Sequence, residues 1–388
     1  MDVQSSFQEY FKASPLITAR APGRVNLLGE HVDYNDGPVL PAAIDRTVYL
    51  AGAADAENTV TLYASDLDSS TKFRLDTLET KTDIHGDPLP GWALYPAGVA
   101  WSLQKEGLEV SGLKAVYTSD VPVGAGLSSS AAVEVVFAVT WEALGGWEID
   151  SIRLAQLCQR AENEYVGVAS GLMDQFASLH GVQDHALYFD TRDLSWEPVP
   201  LPKGTVLVIA DSGVRRSLTS SAYNERRTAC QQAVELLLTY NPEIHSLRDV
   251  SAVEFAAYGD FLPPVVRRRA EHVVKEIARV QSAVAALRSD NTRSFGALMF
   301  SGHASLRDLY EVSCPELDAL VEIAREAPGC IGARLTGAGF GGCTVNLVEE
   351  SSTAKFIETL MEGYYEQTGR KTEVYLCRAS AGANVEMV

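Results

Sequence analysis

Arg24, Glu30, His31 and Asp33 crowd into one short stretch, Gly23-Arg24-Val25-Asn26-Leu27-Leu28-Gly29-Glu30-His31-Val32-Asp33-Tyr34-Asn35-Asp36-Gly37. An unpaired charge in a protein interior costs several kcal/mol, so so much polar chemistry between two glycines reads as a loop rather than a core segment. Carboxylates and an imidazole suit the hydroxyls of a polyhydroxylated ligand. Arg24, with its planar fork of donors, suits an anion.

A second group of residues suits phosphate. The run Leu113 to Thr118 reads as a strand, and Val121-Pro122-Val123-Gly124-Ala125-Gly126-Leu127-Ser128-Ser129-Ser130-Ala131-Ala132 then leads into an apolar, helix-prone stretch to Leu144. Glycines allow a close backbone approach, and a helix start offers free N–H groups and the positive end of its dipole to an anion. The serines alone would also fit an ordinary helix N-cap. Two acids follow. Glu162 sits on the flank of the apolar stripe of a helix expected over Ile152 to Val166, where it can either point inward or be solvated. Asp174, in Gly171-Leu172-Met173-Asp174-Gln175-Phe176, has apolar neighbours and is either a helix cap or a carboxylate held in a desolvated site.

Competing nucleotide motifs fail. There is no Gly-x-x-x-x-Gly-Lys-Ser/Thr run, and the protein-kinase catalytic-loop and Asp-Phe-Gly motifs are missing. Gly337-Ala338-Gly339-Phe340-Gly341-Gly342 matches Gly-x-Gly-x-x-Gly, but Cys343 to Val348 after it is β-branched and alternating. A dinucleotide fingerprint requires a helix there. The cluster reads as a loop that closes over a ligand or packs against another backbone.

Residues 23–37 closely resemble the sugar-binding motif of galactokinases, and Gly337 to Gly342 is similar to the third motif of the GHMP kinases. The resemblance spans nearly the whole chain. It implies ATP-dependent phosphorylation of D-galactose at its C1 hydroxyl, giving galactose 1-phosphate and ADP. Within that class the substrate could be another sugar, such as N-acetylgalactosamine, arabinose or a uronic acid; outside it stands a non-catalytic galactose and ATP sensor, although Ser128 to Ala131 are intact. By the same resemblance Asp174 accepts the C1 proton and Arg24 stabilises the transferring phosphoryl group. Arg24, Glu30, His31, Asp33, Gly171, Asp174 and Tyr223 meet the sugar. Gly124, Gly126, Leu127, Ser128, Ser129, Ser130 and Ala131 hold ATP, with Trp92 near the adenine or else packed in the core, and Ser130 and Glu162 ligate Mg²⁺.

These residues must be positioned by an ordinary globular chain. At 388 residues, 46% hydrophobic and 21% charged, it can support two sizeable cores. A formal charge of −19 disfavours nucleic acid and anionic membranes as partners, so ATP must be attracted locally. The paired arginines Arg215, Arg216, Arg226 and Arg227 read as solvated surface. Six scattered cysteines without a CxxC pair read as reduced and structural. With no leader or membrane-span pattern, the expectation is a cytoplasmic monomer.

Strand-like runs at Arg46 to Ala51, Val60 to Tyr63 and Leu113 to Thr118 precede helices from Ser128 and Ile152. A proline-punctuated stretch, Glu197 to Pro202, reads as a boundary. Beyond it come a strand at Val206 to Ala210, helices over Val265 to Leu287, Pro315 to Ala324 and Thr353 to Tyr365, and strands near Ile331, at Cys343 and at Glu373 to Leu376. The class is α+β. The resemblance implies the two-domain GHMP fold: a ribosomal-S5-domain-2-like domain over residues 1–200 and a ferredoxin-like domain over 201–388, with ATP and sugar at their junction.

Overall fold

The computed structural model describes residues 2–215 and 219–388. Arg216, one of the arginines expected at the surface, lies outside the described residues. The strands are β1 (Ile17–Asn26), β2 (Pro38–Val39), β3 (Pro41–Asp55), β4 (Thr59–Ala64), β5 (Ser69–Arg74), β6 (Gly112–Ser119), β7 (His185–Asp190), β8 (Trp196–Pro200), β9 (Thr205–Asp211), β10 (Cys330–Leu335), β11 (Cys343–Glu349), β12 (Glu373–Cys377) and β13 (Asn384–Met387). They form a six-stranded sheet in the order β13-β1-β3-β6-β4-β5, a four-stranded sheet β10-β11-β9-β12 and a small sheet β2-β7-β8. Only β4 and β6 pair in parallel; the rest are antiparallel.

The apolar faces decide the layers. Helices Leu94–Lys105, Ser129–Gly145 and Met173–His180 cluster against the first sheet, the latter two directly on β1 and β3. Their buried Val135, Val136, Phe137 and Trp141 meet Leu50, Leu62 and Leu113 from the strands. In the second sheet β9 is buried from Val206 to Asp211, as suits a central strand covered on both faces. Helices Pro315–Glu326 and Thr353–Thr368 cover one face. The long helix Pro264–Arg288 packs on Thr292–Ser305 and on Thr219–Leu237. No helix among the described residues is long and apolar enough to cross a membrane. None of the six cysteines is in a disulfide, and all but Cys330 are buried.

Three local expectations change. Residues 23–37 are not a loop in their first part: Gly23 to Asn26 complete β1, and the stretch from Gly23 to Val32 is buried throughout. It can be a core segment because its charges are paired. The register of β1 against β3 shifts between Pro22 and Arg24, and such a bulge re-aims the side chain that follows it. The helix expected over Ile152 to Val166 is α-helical only over Ser151–Arg160; Ala161–Val166 widens into a π-turn that carries Glu162, a form that recurs at functional sites. The proline-rich Glu197 to Pro202 stretch contributes β8, paired with β7. The chain's last strand, β13, returns to pair with β1.

Candidate active site

Arg24 leaves the β1 bulge and meets Asp174, on the first turn of the helix Met173–His180, as a fork. Its Nε and Nη2 donate to the two carboxylate oxygens at 2.9 and 2.8 Å. Arg24 Nη1 donates to the Gly126 carbonyl at 2.6 Å and its backbone N–H to the Leu127 carbonyl at 3.1 Å. Ser128 Oγ donates to Asp174 Oδ2 at 2.5 Å. These bonds dispose of two bland readings. Asp174 caps no helix, since the helix start at Leu172 has no side-chain cap. Ser128, in the left-handed region at φ 59°, does not cap its helix either; its hydroxyl is spent on the acid.

Two cavities meet at this cluster. One, of about 410 Å³, is lined by Glu30, His31, Asp33, Gly171 and Tyr223. The other, of about 770 Å³, is lined by Trp92, Tyr95, Tyr117, Gly124 and Ser128 to Ser130. Arg24, Val168, Asp174, Gly337 and Ala338 border both. Of the glycine-rich loop 337–342, Gly337 and Ala338 border both cavities, and the loop packs against another backbone, since a Cβ on Gly337 would stand 3.0 Å from the Gly126 carbonyl oxygen.

A Cβ on Gly171 would lie 1.7 Å from Asp33 Oδ2, so the missing side chain of Gly171 is what lets Asp33 sit there. Removal from water, reinforced by the Asp174 charge, pushes the Asp33 carboxyl up to about 6. His31 is neutral, because burial lowers it to about 3. Its Nε2 faces the Ala338 carbonyl at 3.1 Å, which can only accept, so the proton is on Nε2 and Nδ1 accepts from Tyr34 at 2.8 Å. Tyr34 in turn accepts from Tyr310 at 2.8 Å. Both ring nitrogens of His31 are therefore engaged within the chain. Glu30 is buried, with Oε2 on Arg334 while Oε1 has no partner among the described residues. Burial pushes its carboxyl up to about 7 despite the opposing Arg334 charge. Tyr223 packs its ring 5.4 Å from that of His31.

The larger cavity has a floor of glycines and serines and an aromatic wall. Gly124 and Gly126 take positive φ, 70° and 79°, and the helix Ser129–Gly145 opens on the cavity with Ser129 and Ser130 half-buried. Both Leu127 and Ala131 are buried; Leu127 still borders the cavity, whereas Ala131 does not. Trp92 lines the cavity and packs 5.9 Å from the Tyr117 ring. From the wall of the larger cavity, Ser130 Oγ donates to Oε1 of Glu162, which lines the smaller one, at 3.1 Å. Burial pushes the Glu162 carboxyl up, opposed by hydrogen bonds from Ser170, Gln175 and Ser130. Hydroxyl and carboxylate oxygens suit a hard cation that keeps waters and phosphates as its other ligands. Among the described residues no group of three or more His, Cys, Asp or Glu could hold a metal alone.

Sequence reasoning missed the groups behind the site. Arg334, fully buried on β10, donates to Glu30 and forms an ion pair with Glu276 at 2.9 Å, and Glu276 is paired with Arg279 and accepts from the Gly29 N–H at 2.9 Å. Glu134 and Gln175, both fully buried, lie beside Glu162. The available signal was a lone charge inside an apolar run: Arg334 in Ala333-Arg334-Leu335, and Glu134 in Ala131-Ala132-Val133-Glu134-Val135-Val136. Arg215 and Arg226, read as solvated, are partly engaged: Arg215 pairs with Asp211 at 2.5 Å and Arg226 donates to the Tyr310 carbonyl at 2.8 Å.

Comparison with known proteins bears on this geometry. Three family models match: a galactokinase galactose-binding signature over residues 5–54, the GHMP kinases N-terminal domain over 95–182 and the GHMP kinases C-terminal domain over 283–366. The galactokinase of Roseiflexus sp. (strain RS-1) is 46% identical over 98% of this chain and 96% of its own length. That of Homo sapiens is 42% identical, over 99% and 96%. The crystal structure of Lactococcus lactis galactokinase complexed with galactose superposes with a TM-score of 0.93 at 34% identity, covering 98% of each chain.

Proposed function

The chain belongs to the galactokinase family of GHMP kinases, and from that premise we propose that it transfers the γ-phosphoryl group of ATP to the C1 hydroxyl of D-galactose. The observation that carries the mechanism is the Asp174 carboxylate, pinned by Arg24 and Ser128 on the boundary shared by the two cavities. Galactose occupies the smaller cavity, its hydroxyls donating to Asp33 and Glu30 and its faces held by His31, Gly171 and Tyr223. ATP occupies the larger one, with its phosphates on the N–H groups of Gly124 to Ser130 and its base near Trp92. Residues 1–200 supply the sugar motif, the phosphate loop and Asp174; residues 201–388 supply the glycine-rich loop. The C1 oxygen bonds to the γ-phosphorus as the bond to the ADP oxygen breaks, and the proton of the C1 hydroxyl passes to Asp174. Arg24 neutralises charge on the phosphoryl oxygens. Such transfer depends chiefly on positioning and electrostatic stabilisation. Ser130 and Glu162 would hold Mg²⁺, which neutralises phosphate charge when bound.

The direct test is a panel of sugars with MgATP, following ADP release and the sugar phosphate formed. Galactose is expected to be turned over and galactose 1-phosphate to accumulate. Turnover of another sugar without galactose would overturn the substrate, and tight binding of sugar without turnover of any would overturn the kinase.

Two expectations concern the sugar cavity. Because the folded-state Asp33 carboxyl is raised to about 6, the ionised acceptor is present above that pH and lost below it. Galactose affinity should therefore fall as the pH drops from 7 to 5. Asp33→Ala should weaken binding at pH 7 by on the order of 1–3 kcal/mol and remove this component of the pH dependence, with ATP affinity unchanged. Calorimetric titration at several pH values reads both. Gly171→Ala is expected to displace Asp33, whose Oδ2 occupies the space of the new methyl group, and so to weaken galactose binding comparably in the same titration. An alanine variant that binds galactose like the wild type would remove Gly171 from the account.

A further inference from the structure

Glu134 and Gln175 touch neither cavity, yet both are fully buried polar side chains packed behind Glu162. The Gln175 amide nitrogen carries two N–H groups, and both go to carboxylates: one to Glu134 Oε2 and one to Glu162 Oε2, each at 2.9 Å. Glu134 makes no other side-chain bond described, its Oε1 having no partner among the described residues. A buried carboxyl with a single hydrogen bond is costly where an apolar side chain of like volume would pack. Its one evident effect is to fix the plane of the Gln175 amide. That amide, with the Ser170 hydroxyl, occupies Glu162 Oε2 and leaves Oε1 toward Ser130 Oγ at 3.1 Å.

We propose that Gln175 and Glu134 are positioning residues that hold Glu162 in the orientation needed, with Ser130, to bind the nucleotide's divalent cation. The inference rests on the reading of Ser130 and Glu162 as the Mg²⁺ ligands. The wiring is compact: Glu134 lies four residues after Ser130 on the phosphate-loop helix, and Gln175 follows Asp174 on the helix that presents the proton acceptor. One amide thus joins the helix that receives phosphate to the helix that carries the acid. Outer partners of metal ligands of this kind typically contribute 10–100-fold to metal affinity or activity.

The test compares ADP affinity with and without Mg²⁺ by calorimetry, together with the Mg²⁺ concentration giving half-maximal turnover. Glu162→Gln should abolish most of the gain in ADP affinity that Mg²⁺ gives; if it does not, the metal reading itself fails. Gln175→Leu, close in volume but without donors, should cut that gain by about 10-fold or more and raise the Mg²⁺ requirement, with galactose affinity and ADP affinity in the absence of Mg²⁺ near wild type. Glu134→Leu should act in the same direction. Glu134→Gln, which keeps an acceptor for Gln175, should recover most of what Glu134→Leu loses. If Glu162→Gln has its effect while Gln175→Leu leaves the Mg²⁺ dependence unchanged, or lowers melting temperature and all ligand affinities alike, Gln175 is only packed there and the proposal is overturned. Should Gln175→Leu not fold, the two Glu134 variants decide: an unchanged Mg²⁺ dependence in Glu134→Leu sinks it.

Discussion

Replacing Asp174 by asparagine is expected to lower turnover by roughly 10²–10⁴-fold while galactose and ATP still bind. The change keeps the side chain's shape but takes away the oxygen that receives the C1 proton, and it leaves Arg24 Nε and Nη2 with one carbonyl oxygen where two carboxylate oxygens stood. Since Asp174 caps no helix, the loss would not be one of helix stability, and a thermal melt run beside the kinetics separates the two. Arg24→Lys is the companion measurement. A lysine retains the charge but not the fork that reaches Asp174 and the Gly126 carbonyl together, so it should depress the maximal rate more than it raises the Kd for galactose. An Asp174→Asn protein with near-normal turnover would remove Asp174 from proton transfer. The kinase assignment would survive, resting then on positioning and charge stabilisation alone.

Removing the Arg334 guanidinium should cost stability on the scale of a broken buried ion pair, about 3–5 kcal/mol. Arg334 lies at the centre of a charged cluster, between Glu30 and Glu276, with Arg279 on the far side of Glu276. Arg334→Leu leaves the Glu30 carboxyl in an apolar interior without its main cation. Glu30 must then take up a proton or draw in water, and its hydrogen bonds to the sugar should suffer as well. Urea denaturation is expected to shift to lower midpoint, with galactose recovering part of the loss by binding the folded form. Glu30→Gln in the same background should restore part of the stability, since it removes the uncompensated charge. If Arg334→Leu unfolds at the wild-type midpoint, the cluster contributes little and Glu30 is positioned by packing alone.

The sequence and the fold divide the account of this site along a physical line. Residue types report the chemistry that a side chain can do, and local patterns report short-range geometry. Glycines with serines before an apolar helix marked the turn that opens the helix at Ser129, and β-branched residues after Gly342 turned aside the dinucleotide reading, because both are decided within one element. The two-period and 3.6-period patterns likewise located β3, β4, β6 and β9 to β12 and the helices that begin at Ser129, Ser151, Pro264, Pro315 and Thr353, but not β1, β2, β5, β8 or β13. What sequence could not supply was which charges neutralise which. Arg24 and Asp174 are 150 residues apart, and Glu30 and Arg334 are 304 apart, so residues 23–32, which read as too polar to be buried, are in the interior because distant partners offset the desolvation cost.

Single-residue facts set by packing were equally out of reach. The shift of register beside Arg24, the π-turn under Glu162 and the return of β13 to β1 depend on how elements meet, and no local preference encodes them. By itself the sequence suggested the kind of chemistry, carboxylates for hydroxyls, backbone N–H groups for an anion and an acid to take a proton, but it offered the His31 imidazole as a further partner for hydroxyls, whereas both its ring nitrogens are taken by Tyr34 and the Ala338 carbonyl. Tertiary structure alone decided that these groups face one boundary between two cavities. Asp174 is held there by Arg24 and Ser128, which arrive from other elements 150 and 46 residues away in the chain, and short-range propensity carries no information about contacts closed over such separations.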